Sequence, residues 1–291
     1  MQNSFAEWFC ILCAGAASGA AIDNGGENTL ENAEYLGSKY FAGSDARCST
    51  QGITNDGTYY YTTGAVVALG FNGLEKIDME TGEVVLQNTN AMPKELKKQS
   101  FNHLGGCTYF EGKIYVAVED IMRKHPCIAV FSAETLQFTG EYKILGEEIQ
   151  PNGNLPWCAV DEENRILYTG VSRGGEFVNA LDIDTLELIE KRPIEHSLYR
   201  VQGAEFYDGL LYISCNDETK VKHVYAVDPE SGEIQTVLER KSGTNSVEAE
   251  GITVRTDEDG SLLLDVLDVI NSFNTALRTY KIKNSFCIDK L

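Results

Sequence analysis

His103, Glu205 and Glu250 are the residues of this chain best suited to moving a proton. An imidazole titrates near neutrality, and a carboxylate beside it completes an acid and base pair. Gln51, Trp157, Arg200, Gln202 and Glu248 are residues that bind. Together with His103 and Glu250 they mix hydrogen-bonding, aromatic and charged groups, a set that suits a small polar ligand such as a saccharide or a peptide-like molecule. Each also has a plainer reading, with His103 bonded to a neighbouring element and Trp157 packed between two. Glu119, Asp120 and Asp217 end strand-like runs in VAVED and SCND. Such acids are candidate ligands for a hard divalent cation such as Ca²⁺, although no acidic stretch has EF-hand spacing and no motif demands a cofactor. The chain has no glycine-rich phosphate loop ending in Lys-Ser/Thr, no H-E-x-x-H and no G-x-S-x-G, so phosphoryl transfer, zinc proteolysis and α/β-hydrolase chemistry lose support.

Residues this far apart in sequence need a scaffold that converges, and a repeat supplies one. IDMETGEV from Ile77, FSAETLQF from Phe131, LDIDTLEL from Leu181 and VDPESGEI from Val227 align without gaps, at intervals of 54, 50 and 46 residues. Each reads as a strand end, a turn rich in Asp, Ser and Thr whose side chains bond their own backbone, and a new strand. Upstream of each hairpin comes an apolar run, a Gly, Asn or acidic turn, and a strand bearing Tyr61, Tyr115, Tyr168 or Tyr212, with a fifth such unit carrying Leu264. Two hairpins per unit make a four-stranded antiparallel blade, and a period of this size is that of a propeller. The expected fold is therefore all-β, a five-bladed β-propeller with innermost strands starting near residues 52, 106, 159, 203 and 251.

After LRTYKIKNSFCI, from Leu277, too little chain remains for the last blade's outer strand. The run YLGSKYF, from Tyr35, reads as an N-terminal strand that closes the ring and removes an exposed sheet edge. This reading puts an N-terminal extension at residues 1 to 34 and one propeller domain at 35 to 291. MPKELKKQSF, from Met92, predicts one or two helical turns. In a propeller the starts of the innermost strands line one mouth of the central channel, where His103, Trp157, Gln51, Gln202 and Glu250 fall.

Composition narrows the partners. The 291 residues carry a formal charge of −20, which repels nucleic acid and anionic membrane surfaces. Phe5 to Ile22 is the most apolar stretch, but Glu7 interrupts it and no basic residue precedes it. It reads as a packed or frayed segment rather than a membrane span or signal peptide. Eight cysteines are scattered rather than clustered, and Cys107, Cys158 and Cys215 read as buried reduced thiols. The isolated Cys10-x-x-Cys13 has no second pair to complete a metal site. These features favour a cytoplasmic monomer, with secretion the alternative.

TQGITNDGTYYYTTG followed by LEKIDMETGEVV resembles the first blade of the plant and bacterial type glutaminyl cyclases (glutamine cyclotransferases), and GAEFYDGLLYISCND and AEGITV resemble their later strands. The resemblance implies a five-bladed propeller. For activity it implies channel carboxylates, of which Glu205 alone is kept. Tyr61 stands where that family has Glu in E-S-T-G, and LGG from Leu104 stands where it has G-E-G. The sequence thus points first to a propeller that binds a small polar ligand at its channel mouth. An enzyme, hydrolase, lyase or cyclase, using His103 with Glu205 or Glu250 is the alternative. A scaffold engaging a protein through its flat face is the third reading.

Overall fold

The repeated turn forms as its side chains dictate. Asp78 Oδ1 accepts from Thr81 N at 2.8 Å and from Thr81 Oγ1 at 3.0 Å. Asp182 does the same with Thr185, at 2.8 and 2.9 Å. Ser132 Oγ accepts from Thr135 N at 3.2 Å, and Asp228 Oδ1 from Glu230 N at 2.8 Å. The fifth residue of each turn, Gly82, Leu136, Leu186 or Gly232, has positive φ. Leucine is strained there, and burial of Leu136 and Leu186 against the core offsets the strain.

The computed structural model describes residues 27–28, 33–41, 43–120, 122, 125–150, 154–216, 221–241, 248–271 and 274–282. The apolar run at 5–22, Cys10, Cys13, Cys287 and Asp217 lie outside them. Two strands precede the repeats, β1 (Glu27–Asn28) and β2 (Ala33–Lys39). Blade one is β3 (Ile53–Asn55), β4 (Tyr59–Val66), β5 (Phe71–Asp78) and β6 (Val84–Asn88). A single helical turn, α1 (Lys94–Lys97), leads to blade two, which is β7 (Phe101–Phe110), β8 (Lys113–Asp120), β9 (Cys127–Ser132) and β10 (Phe138–Ile144). Blade three is β11 (Trp157–Asp161), β12 (Ile166–Gly170), β13 (Arg173–Asp182) and β14 (Leu188–Tyr199). Blade four is β15 (Val201–Tyr207), β16 (Leu210–Cys215), β17 (Val221–Val227) and β18 (Ile234–Lys241). Blade five is β19 (Glu248–Thr256), β20 (Leu262–Asn271) and β21 (Asn274–Ile282), completed by β2.

The protein is thus a five-bladed β-propeller with four antiparallel strands to a blade. β2 pairs antiparallel with β21, from Ala33 opposite Ile282 to Lys39 opposite Leu277, so the N-terminal strand closes the ring. β1 adds a short outer pairing on blade four, Glu27 opposite Lys241 and Asn28 opposite Arg240. The closing strand begins two residues before the Tyr35 expected from sequence, because Ala33 packs into the apolar junction of blades four and five.

Hydrophobic core lies between blades rather than at the axis. Five apolar clusters fill the five junctions, one to each neighbouring pair. Alternating strand residues serve the two faces of a blade, both of them covered, so strands inside a blade such as β8, β11 and β16 are buried along nearly their whole length. The five described cysteines, Cys48, Cys107, Cys127, Cys158 and Cys215, are buried free thiols, and burial raises the proton affinity of those at 48, 107, 127 and 158.

Candidate functional site

The innermost strands β3, β7, β11, β15 and β19 all start at one end of the propeller. Their backbones come closest where the repeat places glycine. A Cβ on Gly203 would lie 2.7 Å from Gly251 Cα, and one on Gly251 only 2.5 Å from Ile53 N. No side chain fits at that level, so the glycines draw neighbouring blades together at the neck of the channel. Residues just before them form the mouth, and residues just after them face the axis.

Beyond the neck sits Glu205. Its Oε2 accepts from Thr253 Oγ1 at 3.0 Å, and the hydroxyls of Thr54 and Thr108 also bond its carboxyl. Threonines of blades five, one and two thus converge on one acid from blade four. Each hydroxyl is oriented by a second bond: Tyr109 N donates to Thr54 Oγ1 at 3.1 Å, Val160 N to Thr108 Oγ1 at 3.3 Å, and Asn55 Nδ2 to Thr253 Oγ1 at 2.8 Å. Burial outweighs these donors and pushes Glu205 up to about 8. At neutral pH this carboxyl is mostly protonated.

At the mouth, four of the sequence-selected residues meet. Arg200 Nη2 donates to Glu248 Oε1 at 2.7 Å. Gln202 Nε2 reaches Glu248 Oε1 at 3.4 Å and Glu250 Oε1 at 3.2 Å, so one amide bridges two carboxyl groups. Glu250 is 4% exposed, and its proton affinity is raised well above the usual carboxylate range, first by burial and then by the Glu248 charge. Gln51 enters blade one at the same level, half-buried, with its backbone N donating to Thr63 O at 3.0 Å.

His103 stands three residues before Gly106, as Arg200 does before Gly203 and Glu248 before Gly251, and the other candidates make bonds of their own. Glu119 is buried and receives Asn154 Nδ2 at 2.5 Å and Leu155 N at 2.7 Å, so it fixes the chain entering blade three. His103 Nδ1 lies 3.7 Å from Glu119 Oε2, and both belong to blade two. Asp120 accepts from His125, ring and backbone, at the end of β8. Glu119 and Asp120 therefore serve separate structures, and no three His, Cys, Asp or Glu converge as metal ligands among the described residues. Trp157 is only 2% exposed and packs in the junction of blades three and four, against Gly170, where its indole offers no face to solvent.

Sequence reading missed the charged cluster behind the mouth. Arg240 of β18 donates to both oxygens of Asp268 of β20, at 2.6 and 2.7 Å, and Arg278 Nε of β21 donates to the same carboxylate. All three are at most 2% exposed. Arg278 Nη1 also reaches Ser38 Oγ of the closing strand at 3.4 Å. Asp265 and Asp268 in the run LLLDVLDVI were the available signal, because a charge inside an apolar strand must find a partner.

No protein-family model and no curated protein sequence matches this chain. Among solved structures it is similar to the RS223 β-xylosidase, at 12% identity over 84% of this chain and 94% of that one, with a TM-score of 0.56. It is also similar to the tail fibre of Staphylococcus aureus phage P68, at 12% identity and a TM-score of 0.53, covering 87% of this chain and 53% of the fibre chain. A third is the bifunctional GH43-CE protein of Bacteroides eggerthii, at 10% identity and a TM-score of 0.51, covering 80% of this chain and 32% of that protein. At such identities these likenesses show the propeller fold alone, and the likeness to glutaminyl cyclases rests on the blade residues quoted above. No helix among the described residues is long and apolar enough to cross a membrane.

Proposed function

We propose that the channel mouth binds a small polar ligand, a saccharide or a peptide-like molecule. The observation that carries this reading is the Gln202 amide set between Glu248 and Glu250 with Arg200 on Glu248. Guanidinium, amide and two carboxyl groups offer donors and acceptors side by side, held in place by one another, at one end of the ring. Polar groups fixed before a ligand arrives lose little freedom on binding it.

The test is thermal stabilisation by a panel of monosaccharides and short peptides, with wild type and Gln202→Ala. A ligand at 100 times its Kd stabilises the folded state by about 2.7 kcal/mol. The best compound is expected to raise the melting temperature of wild type and to lose that effect in Gln202→Ala. Equal stabilisation of both proteins would put the site elsewhere.

Glu250 favours a second reading. A carboxyl whose proton affinity is raised by burial, set beside a second carboxyl, is the arrangement of a general acid with its partner, which fits a hydrolase, lyase or cyclase. In that case Glu250→Gln lowers turnover of the bound compound by a factor on the order of 10² or more while leaving its affinity within a few fold. A variant that turns over as wild type does would leave binding alone.

A further inference from the structure

The face of blade four that meets blade five carries more hydrogen-bond donors than its neighbours accept. Lys222 stands opposite Arg240 in the register of β17 with β18, and the two are 3% and 2% exposed. Ser214 stands opposite Val224, which belongs to the apolar cluster shared with blade five, so Ser214, Lys222 and Arg240 share that face. Arg240 spends its two terminal nitrogens on Asp268, and its Nε is buried with no partner among the described residues. The Ser214 hydroxyl is fully buried and likewise without a partner among them. Lys222 is buried beside them, and burial with the charges of Arg200 and Arg240 lowers its proton affinity against the pull of Glu248 and Asp268.

A buried donor without an acceptor is costly, and a buried ammonium more so. Charge adds to the imbalance. Arg200, Lys222, Arg240 and Arg278 face Asp268, Glu248 and a Glu250 that is held toward its neutral form. In a chain of net charge −20 the described residues of this junction are locally rich in cations. Arg200 and Glu248, which face Lys222 electrostatically, belong to the channel mouth.

The geometry points to an oxyanion seat at the mouth end of the junction between blades four and five, formed by Lys222, Ser214 and Arg240 Nε with Arg200 at its entrance. It takes the carboxylate or phosphate group of the mouth ligand, whose remainder lies on Gln202 and Glu250; this placement rests on the function proposed above. The ligand class is thereby narrowed to anionic polar molecules, such as sugar acids or sugar phosphates.

The test is calorimetric titration at pH 7 and constant ionic strength with inorganic phosphate, sodium D-glucuronate and D-glucose. At least one of the two anions is expected to bind wild type saturably and to bind Lys222→Met about tenfold more weakly or worse. Ser214→Ala, which removes one donor and no charge, should weaken it in the same direction. The tighter of the two anions identifies the oxyanion the ligand carries. Neither anion binding wild type, or both variants binding as wild type does, overturns the seat. Glucose binding without anion binding would keep the mouth and remove the seat. Anion binding lost in Lys222→Met yet untouched in Gln202→Ala would keep the seat and remove the mouth reading.

Discussion

Replacing Glu205 with glutamine should flatten the pH dependence of stability. The carboxyl titrates at about 8 in the fold against an ordinary 4.5, so the native state holds its proton far more tightly than the unfolded chain. The sign follows from linkage: stability from this group is fully present below pH 4.5 and is lost as pH rises through about 8. Each factor of ten in proton affinity is worth about 1.4 kcal/mol, so the full loss is on the order of 5 kcal/mol, of which about 4 falls between pH 5 and pH 9. Glutamine keeps the shape and hydrogen-bonding capacity of the protonated acid and cannot ionise. Glu205→Gln should therefore gain about 4 kcal/mol on wild type over that range, a relative shift in melting temperature on the order of 10 °C. Urea unfolding followed by circular dichroism, at intervals from pH 5 to pH 9, gives both curves. Because Glu75 and Glu250 are also raised, the difference between the proteins, not the slope of either, is the quantity that counts. Curves that run parallel within 1 kcal/mol would refute the placement of a neutral acid on the axis.

Asp268→Ala strands two buried guanidinium groups and should cost about 3 to 5 kcal/mol in equilibrium unfolding. Gly251→Ala forces a Cβ to 2.5 Å from Ile53 N, where backbone is the obstacle, and should destabilise by about 3 kcal/mol by the same measurement. Replacing residues 33–39 with a Gly/Ser linker removes β2 and exposes β21 as an edge, and light scattering should then show self-association that wild type lacks.

The blades were legible because their turns are chemical. Asp78, Asp182 and Asp228 must bond the amides that follow them, so the same polar letters recur at every outer hairpin. The closing strand was legible from what blade five lacked. At the mouth, Arg200, Gln202, Glu248 and Glu250 were legible because their position at the start of a blade's first strand already specifies the channel end. Their mutual bonds were not, since those join residues 46 to 48 apart on different blades. Trp157 takes the place in blade three that Gly106 and Gly203 take in blades two and four, and its indole turns into a blade junction, into the space above Gly170. Lys222 lies in VKHVYAV, where alternation alone cannot say which face meets blade five. The pairing of Arg240 with Asp268 depends on how two complete blades pack, and no local pattern carries that.

The central claim is that the mouth is where this propeller meets its ligand. A crystal structure of the protein with the most stabilising compound from the panel tests it directly. The account predicts ligand density in contact with Gln202 and Glu250, with an anionic group directed toward Lys222. Density on the opposite face of the ring or along an outer strand, with these side chains untouched, would contradict it.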